Sequence, residues 1–388
     1  MSTPPGTADA LDLMDEWGPE KVVCVSDTRT GMRGVLVVDN TARGPGKGGT
    51  RMGPGVGVTE VARLARVMTW KWAAADLFFG GAKAGIRFDP ASADKEAALR
   101  AFARSLRNEV PREYVLGLDM GLTEADAAIV QDELGDRGAA VGTPHVLGGV
   151  PYDELGVTGF GVAEAADAAA QRLGLDLGGA RVSIQGFGAV GAAAARRLHE
   201  LGATIVAIST RDGVLYDPAG LDLASLLALR AHAGDGVVSH YVGGSRLVAG
   251  EELTVPAEIV VPAATQDTID LETAKAMKAR LVVEGANLPT SAEAREYFRG
   301  ARITVLPDFI ANAGGAVAAA TAMDARYSAF RPDPEAILSG ISTLLRRNTA
   351  EVLEAADRGD TTPHQAAMTL ARERVHKAMR LKGRLTGW

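Results

Sequence analysis

The sequence predicts an α/β fold of two domains, the second built on a doubly wound parallel sheet. The length of 388 residues corresponds to two or three domains of about 150 residues each. Residues 1–150 contain several short strand-like runs, whereas helical and short apolar segments alternate from about residue 162 onward. Strands separated by helices are typical of a parallel sheet with helices on its faces. We therefore place the domain boundary near residue 150.

The first domain is predicted to mix strands and helices. Apolar runs bounded by turn residues predict strands over 21–26 and 34–39. Between 59 and 76, apolar residues recur at the three- and four-residue spacing of one helix face, which predicts a helix. Thr123, followed three residues later by an aspartate, is a capping signal for a helix over 124–134.

The second domain is predicted to follow a glycine-rich linker over 142–161. The last segment, 333–382, contains two helical stretches with no strand between them. Between the linker and this last segment, two helices are predicted over 162–173 and 190–201, and strands over 181–185, 204–209, 259–261, 281–283 and 303–305.

Composition and charge exclude several classes of function. With 41 basic and 48 acidic residues the net charge is −7, which disfavours nucleic acid as a partner because phosphate binding needs a concentrated positive surface. The single cysteine, Cys24, excludes an intrachain disulfide and a multi-cysteine metal site. No apolar run reaches the ~18 residues of a membrane span. The acidic N-terminus lacks the features of a signal peptide, so a cytoplasmic protein without a membrane partner is expected.

A dinucleotide-binding loop is predicted in the segment RVSIQGFGAVG. Gly186, Gly188 and Gly191 have the spacing G-x-G-x-x-G between a predicted strand and a predicted helix. The first glycine permits the tight turn, the second lets the backbone approach a pyrophosphate, and the third allows helix and strand to pack closely. The phosphates would lie at the positive end of the helix dipole. The residues between these glycines complete the predicted site: Phe187, Ala189 and Val190.

The end of the next strand bears on the choice of cofactor. An acidic residue there would bind the ribose hydroxyls of NAD, whereas an arginine can meet the 2′-phosphate of NADP. The sequence has Thr210 and Arg211 at this place. Arg211 favours NADP, or the use of both NAD and NADP. The alternative, that Arg211 is a solvated turn residue, stays open.

Three lysines and one aspartate in the first half are candidates for chemistry. Lys47 and Lys83 lie in glycine-rich surroundings, and Lys71 lies at the edge of a helical apolar stripe. Glycines beside a lysine indicate backbone held close to a small ligand. Asp119 follows a short apolar run and precedes a helix start, where it could exchange protons with such a lysine. The alternatives are surface lysines and a turn or N-cap aspartate.

Taken together, these motifs are similar to those of one enzyme family. The segments KGGTR, MTWK, GGAKAGI, VTGFGV, QGFGAVG, VVEGANLPT and ANAGG occur in that order, with 24 residues from Lys47 to Lys71 and 12 from Lys71 to Lys83. In these respects the chain resembles the glutamate/leucine/phenylalanine/valine dehydrogenases over nearly its whole length. The resemblance implies reversible NAD(P)-dependent oxidative deamination of an L-amino acid to a 2-oxo acid and ammonia.

The resemblance also implies roles for individual residues. Lys83 would activate the attacking water and Asp119 would shuttle protons to the substrate nitrogen. Lys71 would bind the substrate α-carboxylate, and further substrate contacts would come from Lys47, Gly48, Gly49 and Ala319. Besides the glycine loop, Thr210 and Arg211, the cofactor would be contacted by Thr158, Ala264, Asn287 and Asn312.

The same resemblance implies an organisation for the whole chain. Residues 1–150, completed by C-terminal helices in 331–388, would form the substrate domain, and 151–330 the Rossmann-type dinucleotide domain, with the active site in the cleft between them. Relatives that form closed hexamers or octamers imply a homo-oligomer. A non-catalytic, cofactor-binding regulator of the same fold is the alternative, but the presence of Lys71, Lys83 and Asp119 together favours an enzyme.

Two features of the sequence point to different substrates. Lys47 favours an acidic substrate, glutamate, because a buried lysine is costly without a partner. In glutamate-specific members a serine lies seven residues after the asparagine of NAGG, and here that position is Ala319. The N-terminal segment is also more similar to the leucine and phenylalanine branch, and PDVGT is altered to LDMGL around Asp119. Glutamate is the leading prediction, with a branched-chain, aromatic or unusual amino acid as the alternative.

Overall fold

The structure, a computed structural model, describes residues 10–385 and divides into two compact units. The first unit contains the chain through Pro151, then Ala319–Asp333, and the chain from Ala371 onward. The second unit contains Tyr152–Ala318 and Pro334–Leu370. The chain therefore crosses from the first unit to the second between Pro151 and Tyr152, and residues 334–370 of its last segment belong to the second unit.

The first unit contains a five-stranded mixed sheet in the order β1-β2-β4-β3-β5. β1 and β2 pair antiparallel, as do β2 and β4, whereas β3 runs parallel to both β4 and β5. Its strands are β1 (Lys21–Asp27), β2 (Met32–Asn40), β3 (Gly46–Met52), β4 (Gly80–Arg87) and β5 (Tyr114–Leu118). Its helices before residue 151 are α1 (Val58–Ala74), α2 (Lys95–Ser105) and α3 (Glu124–Leu134).

Alternate residues of β2 supply the two faces of this sheet. Val35 and Val37 pack with residues of α1 on one face. Leu36 and Val38 pack on the other face, with residues of α2 and α3. Such alternation is the consequence of the two-residue period of a strand. The predicted helix at α3 is confirmed, and its start is the capping box formed by Thr123 and Asp126.

The glycine-rich strands β3 and β4 were not predicted from the sequence as strands. Glycine is depleted in strands, and the segments GKGGTRM and GGAKAGIR were interpreted only as the surroundings of lysines. The reason for the glycines lies in the packing, since a Cβ at position 81 would lie 2.0 Å from Thr69 Oγ1 of α1. The helix therefore rests directly on the backbone of β4.

The second unit contains a seven-stranded sheet in the order β12-β11-β10-β6-β7-β8-β9. The five strands from β12 to β7 are parallel, as predicted, but β8 and β9 are added antiparallel at one edge, so the sheet is mixed. The strands are β6 (Arg181–Gln185), β7 (Thr204–Thr210), β8 (Gly213–Tyr216), β9 (Ser245–Leu247), β10 (Ile259–Pro262), β11 (Leu281–Val283) and β12 (Thr304–Leu306).

Helices follow most of these strands and also close the chain. The predicted linker is partly helical, because α4 and α5 begin within it. The helices are α4 (Tyr152–Leu155), α5 (Val157–Arg172), α6 (Ala189–Glu200), α7 (Leu223–Ala233), α8 (Val237–His240), α9 (Leu271–Ala276), α10 (Ala292–Gly300), α11 (Asp308–Ala311), α12 (Gly314–Ala325), α13 (Pro334–Gly359) and α14 (Pro363–Leu381). No helix within residues 10–385 combines the length and the apolar run that a membrane span requires.

Candidate active site

Lys83 and Asp119 meet in the first unit across strand β3. Lys83 lies in β4 and Asp119 directly follows β5, and these two strands flank β3 on either side. The Nζ of Lys83 lies 2.5 Å from Oδ2 of Asp119, and both side chains keep some exposure, 10% and 18%. A Cβ at position 49 of β3 would lie 3.1 Å from that Nζ and 2.9 Å from the Asp119 Cβ. The pair therefore depends on glycine at Gly49.

The surroundings keep Asp119 ionised. Burial raises the pKa of the Asp119 carboxyl, but the charge and hydrogen bond of Lys83 outweigh burial, so the pKa is lowered below its usual range. The Met120 N–H donates to Oδ1 at 2.8 Å, and Arg51 Nε lies 3.4 Å from Oδ2. A carboxylate paired with a lysine at a partly exposed position can accept and return a proton.

Lys47 is the most deeply buried of the three lysines. Its side chain in β3 is 3% exposed, and its Nζ donates to the Val115 carbonyl at 3.4 Å. Among residues 10–385 no carboxylate forms an ion pair with it. Burial, together with the positive charges of Lys83 and Arg326, lowers the pKa of Lys47 to about 7. An ammonium in this place is therefore stabilised only when a negative group is brought to it.

Two aromatic residues that the sequence analysis missed hold β3 in position. Trp72 of α1 donates from Nε1 to the Lys47 carbonyl at 2.9 Å. The fully buried Tyr114 of β5 donates to the Gly48 carbonyl at 3.0 Å, and its oxygen lies 2.9 Å from Thr50 Oγ1. Trp72 was interpreted only as part of an apolar stripe, although it directly follows Lys71.

The remaining predicted substrate residues lie on helices of the same unit. Lys71 is partly buried in the last turn of α1, beside Trp72. Ala319 is partly buried in α12, and Arg326 directly follows that helix. No sequence motif marks Arg326, whose charge acts on Lys47 and whose Nε is buried without a hydrogen-bond partner among the described residues.

The glycine loop in the second unit has the geometry of a phosphate-binding turn. Gly186 follows β6 with φ of +85°, a conformation that favours glycine, and a Cβ at position 191 would lie 1.8 Å from the Gly186 carbonyl oxygen. Gly188 is the N-cap of α6, no side chain caps this helix, and a Cβ there would meet nothing within 4 Å. The first-turn N–H groups, from Ala189 onward, thus have no side-chain cap, which fits the pyrophosphate of a dinucleotide.

Arg211 lies at the turn from β7 to β8, directly after Thr210. Its side chain is 91% exposed and forms an ion pair with Asp235. Thr210 Oγ1 donates to the Asp235 carbonyl at 2.8 Å. Arg211 is therefore a solvent-facing cation, ion-paired with Asp235, at the end of the strand that follows the glycine loop.

Several other predicted cofactor residues of this unit lie close to one another in pairs. Asn312 Nδ2 donates to Asn287 Oδ1 at 2.9 Å, and Asn312 Oδ1 is buried without a partner among the described residues. Ala264 contacts the glycine loop, since its Cα would lie 2.8 Å from a Cβ at Gly186. Thr158 lies at the start of α5, its Oγ1 3.1 Å from where a Cβ at Gly315 would be.

A buried pair of acidic residues lies just beyond the ends of β11 and β12, and it was not predicted from the sequence. Glu284 follows β11, is fully buried, and accepts at Oε2 from the Asp308 N–H at 2.9 Å. Burial, and then the charge of Asp308, raises the pKa of Glu284 to about 7. The Asp308 carboxylate in turn accepts from Leu288 N–H at 2.8 Å. The pair holds the segment that carries Asn287.

Comparison with protein families gives two adjoining matches. Residues 19–135 match the Glu/Leu/Phe/Val dehydrogenase dimerisation domain, and residues 148–383 match the Glutamate/Leucine/Phenylalanine/Valine dehydrogenase family. Together these matches cover most of the chain.

Individual relatives agree with these matches. The chain is 34% identical to a glutamate dehydrogenase of Aeropyrum pernix, over 89% of this chain and 85% of that protein. It is also 34% identical to an NADP-specific glutamate dehydrogenase of Saccharolobus shibatae, over 97% and 92%. Among solved structures, a hetero-hexameric glutamate dehydrogenase from Thermus thermophilus in its Leu-bound form superposes with a TM-score of 0.79 at 34% identity, covering 96% and 94% of the two chains.

Proposed function

Because the chain belongs to the Glu/Leu/Phe/Val dehydrogenase family, we propose that it oxidatively deaminates L-glutamate to 2-oxoglutarate and ammonium, reducing NAD(P). The family makes it an amino-acid dehydrogenase, and the choice of glutamate rests on Lys47. This lysine is buried at 3% exposure, and no carboxylate among residues 10–385 pairs with it.

The environment of Lys47 favours a substrate with an acidic side chain. A side-chain carboxylate next to Nζ would favour the charged ammonium and offset the cost of its burial. An apolar side chain would leave the ammonium without a partner, at a cost of ~1 to 3 kcal/mol or more. Arg326 adds a second positive charge that acts on the same group. Glutamate satisfies both charges, and leucine satisfies neither.

Ala319 supports a second candidate. In this position an alanine offers no hydroxyl to a substrate carboxylate, so the pocket loses one donor relative to glutamate-specific members. An apolar amino acid would be accommodated beside Ala319 if Lys47 were neutral, as its lowered pKa permits above about pH 7. We rank this candidate second because an apolar side chain would offer no negative group to the charge of Arg326.

We assign the proton transfers to Lys83 and Asp119. A bound nicotinamide would accept a hydride from the substrate Cα. Asp119, held as a carboxylate, would take a proton from the substrate ammonium and so prepare the amine. Lys83 Nζ first releases its ammonium proton to solvent, and water then adds to the Cα of the iminium while the neutral amine accepts a proton from that water. This forms a carbinolamine, and Lys83 passes the accepted proton to solvent. Asp119 returns its proton to the carbinolamine nitrogen, Lys83 accepts the hydroxyl proton as the C=O bond forms, the C–N bond breaks, and ammonia leaves. Lys71, which lies in the family motif MTWK, would hold the substrate α-carboxylate.

For the cofactor we propose NADP, with NAD as a second substrate. Arg211 lies where a 2′-phosphate would be met, and its large exposure leaves it free to reorient. Asp235 competes with the phosphate for the same guanidinium, so discrimination between the two cofactors should be modest. The first-turn N–H groups of α6 would hold the pyrophosphate of either cofactor.

We also propose that the protein is a homo-oligomer, either a hexamer or an octamer. The first unit matches a domain described as a dimerisation domain, and β1 is an edge strand of its sheet. An uncovered edge strand is a common site of pairing between chains. Light scattering after size-exclusion chromatography gives the mass, and a monomer would contradict the proposal.

The activity is tested by the absorbance of the reduced nicotinamide. The purified protein is assayed with NAD and with NADP against L-glutamate, L-leucine, L-phenylalanine, L-valine and L-tryptophan. The proposal expects turnover with glutamate, and Lys47→Met is expected to raise KM for glutamate at least tenfold. Turnover of apolar amino acids alone would establish the second candidate. Cofactor binding without any turnover would instead identify a non-catalytic protein of this fold.

A further inference from the structure

A buried carboxylate lies close to the phosphate-binding turn of the second unit and has no part in the site described above. Glu252 lies in a single helical turn, Glu251–Leu253, and is 2% exposed. A carboxylate is costly to bury unless it is paired with a cation or hydrogen-bonded. In the part of the chain that the structure describes, no basic side chain pairs with Glu252, so its oxygen atoms depend on neutral donors.

Three neutral donors hold this carboxylate. Oε1 of Glu252 accepts from Gln185 Nε2 at 3.0 Å and from the Ser209 hydroxyl at 3.1 Å. Oε2 accepts from the Gly250 N–H at 2.7 Å. The main chain of Glu252 is also held, since its carbonyl accepts from Ser183 Oγ at 2.5 Å. The carboxylate is thereby fixed to the last residue of β6 and to the end of β7.

Ser209 in turn holds the start of the glycine loop with two of its own groups. Its Oγ accepts from the Gly186 N–H at 2.9 Å. Its carbonyl oxygen accepts from the Phe187 N–H at 2.7 Å. Two consecutive N–H groups of the loop are therefore bonded within the protein, and the pyrophosphate is left to the N–H groups from Ala189 onward.

The carboxylate sets the direction of the Ser209 hydroxyl. A serine hydroxyl has one proton to donate and two lone pairs that accept. Because this proton is donated to Glu252, the lone pairs of Ser209 stay available to the Gly186 N–H. A hydrogen bond to a charged acceptor is stronger than one between neutral groups, so the carboxylate holds this direction more firmly than a neutral acceptor would.

The same serine links two parts of the proposed cofactor site. Ser209 directly precedes Thr210 and Arg211 at the end of β7. Its two contacts with the glycine loop therefore fix the loop relative to the arginine that we propose for the 2′-phosphate. A loop that is ordered only when the cofactor binds loses freedom at that moment, which lowers affinity. A loop that is already held avoids this loss.

We propose that Glu252 and Ser209 position the glycine loop for the dinucleotide. Glu252 orients the Ser209 hydroxyl, and Ser209 holds the first two N–H groups of the loop. This inference rests on the proposed cofactor site and adds two positioning residues to it, which act through the loop. The proton transfers assigned to Lys83 and Asp119, in the first unit, do not depend on them.

A double-mutant cycle on the full-length protein tests the proposal. Ser209→Ala, Glu252→Ala and the double variant are titrated with NADPH and with NADH by fluorescence, and kcat and KM are measured with glutamate. Each single variant is expected to raise the Kd of the reduced cofactor about three- to tenfold. At saturating cofactor, kcat should stay within about twofold of wild type, and KM for glutamate should not change.

The double variant shows whether the two residues act in series. Because the carboxylate acts through the hydroxyl, the double variant should bind the cofactor no more weakly than the weaker single variant, whereas independent effects would add. The matched control is Glu251→Gln, an exposed acid of the same helical turn, which should bind as the wild type does. Thermal unfolding checks that each variant folds. Ser209→Ala removes a single oxygen atom and keeps the proposal testable if Glu252→Ala does not fold.

Three results would overturn the proposal while leaving the proposed function intact. The first is equal cofactor affinity of wild type and Ser209→Ala. The second is additive losses in the double variant, which would show that Glu252 does not act through Ser209. The third is a fall in kcat with an unchanged Kd. A wild-type protein that binds neither NADPH nor NADH would instead contradict the proposed function, and this inference with it.

Discussion

The Nζ of Lys83 and the Oδ2 of Asp119 lie 2.5 Å apart although a strand separates the two strands that carry them. The contact is possible because β3 presents a glycine, Gly49, between them. The two groups thus form one ion pair whose geometry is set by three strands of a single sheet. A unit built on strands is held more firmly than one built on loops.

Asp119→Asn is expected to lower kcat by about 10² to 10⁴-fold, since the amide cannot accept the substrate proton. The substitution keeps the shape of the side chain, so cofactor affinity should change little. Steady-state kinetics with glutamate, together with a fluorescence titration of NADPH, separates the two effects. An Asn variant that retains wild-type kcat would remove Asp119 from the mechanism.

Gly49→Ala is expected to reduce kcat by pushing Lys83 away from Asp119, because the new Cβ lies within 3.1 Å of the ammonium and 2.8 Å of the Leu118 carbonyl oxygen. A loss of stability of about 1 to 3 kcal/mol should accompany it. The matched control is Gly55→Ala, where a Cβ meets nothing within 4 Å. Urea unfolding and kinetics are measured for both variants. Equal behaviour of the two would contradict the close approach.

Lys47 gives a prediction about pH. Its folded pKa of about 7 is below the usual 10.5, so between these pH values the unfolded chain binds more protons, and stability attributable to Lys47 rises with pH. Below about pH 7 Lys47 is charged in both the folded and the unfolded state, and the destabilisation caused by its burial reaches its full value. Lys47→Met should therefore be more stable than wild type near pH 6, by up to a few kcal/mol, with a smaller difference near pH 10. A pH-independent difference in urea midpoints would count against the burial of a titrating ammonium.

The same lysine predicts proton uptake on binding of the substrate. A dicarboxylate beside Lys47 favours its charged form, so 2-oxoglutarate should take up a proton when it binds at about pH 8. Calorimetry in two buffers of different ionisation enthalpy measures this uptake. Lys47→Met should abolish it. The branched-chain 2-oxo acid derived from leucine is the matched ligand and should bind without it.

Glu164 gives a prediction about stability. This fully buried carboxylate of α5 accepts from Arg197 of α6 at 2.7 Å and from Arg346 of α13 at 2.5 Å. Glu164→Gln removes the buried charge partner that two guanidinium groups share and leaves Arg197 with Glu200 and Arg346 with Asp167, so it should destabilise the protein by about 1 to 3 kcal/mol. The control is Glu200→Gln, which breaks only an exposed pair with Arg197 and should cost less than ~1 kcal/mol. Chemical denaturation distinguishes the two.

Arg211 and Asp235 together predict cofactor preference. Arg211→Ala should raise KM for NADP about tenfold and leave KM for NAD nearly unchanged. Asp235→Asn should act in the opposite direction for NADP, because it releases the guanidinium from its ion pair. Kinetics with both cofactors provides the comparison. If Arg211→Ala altered both KM values equally, the arginine would have no part in the discrimination.

The sequence predicted the elements whose hydrophobic pattern has a clear period. The strand at Arg181–Gln185 and the helix after it are found nearly as predicted, because β-branched residues and a glycine turn mark both. The strands Gly46–Met52 and Gly80–Arg87 could not be found in this way, since their side chains are mostly glycine and alanine. Their conformation follows from tertiary packing, which local propensity does not express.

The same distinction applies to the candidate site. Lys83 and Asp119 were singled out from their local surroundings, and the structure places them in contact. Arg326 and Tyr114 were not, because they reach Lys47 and Gly48 through pairings that the sequence does not show. Glu284 was not predicted, because a single acid directly after an apolar strand has no sequence signal of its own, and its partner Asp308 is distant in the sequence.

The route of the chain through the two units has a consequence for biosynthesis. Arg374, from the last part of the chain, donates to the Ala73 and Ala74 carbonyls at the end of α1 at 2.9 and 3.0 Å. Residues from Ala371 onward are translated only after all of the second unit has been made. On the ribosome, the first unit therefore lacks these contacts until a residue 300 positions beyond Ala74 has been made, whereas the second unit can complete its contacts earlier. The half of the protein that emerges first is the half that finishes folding last.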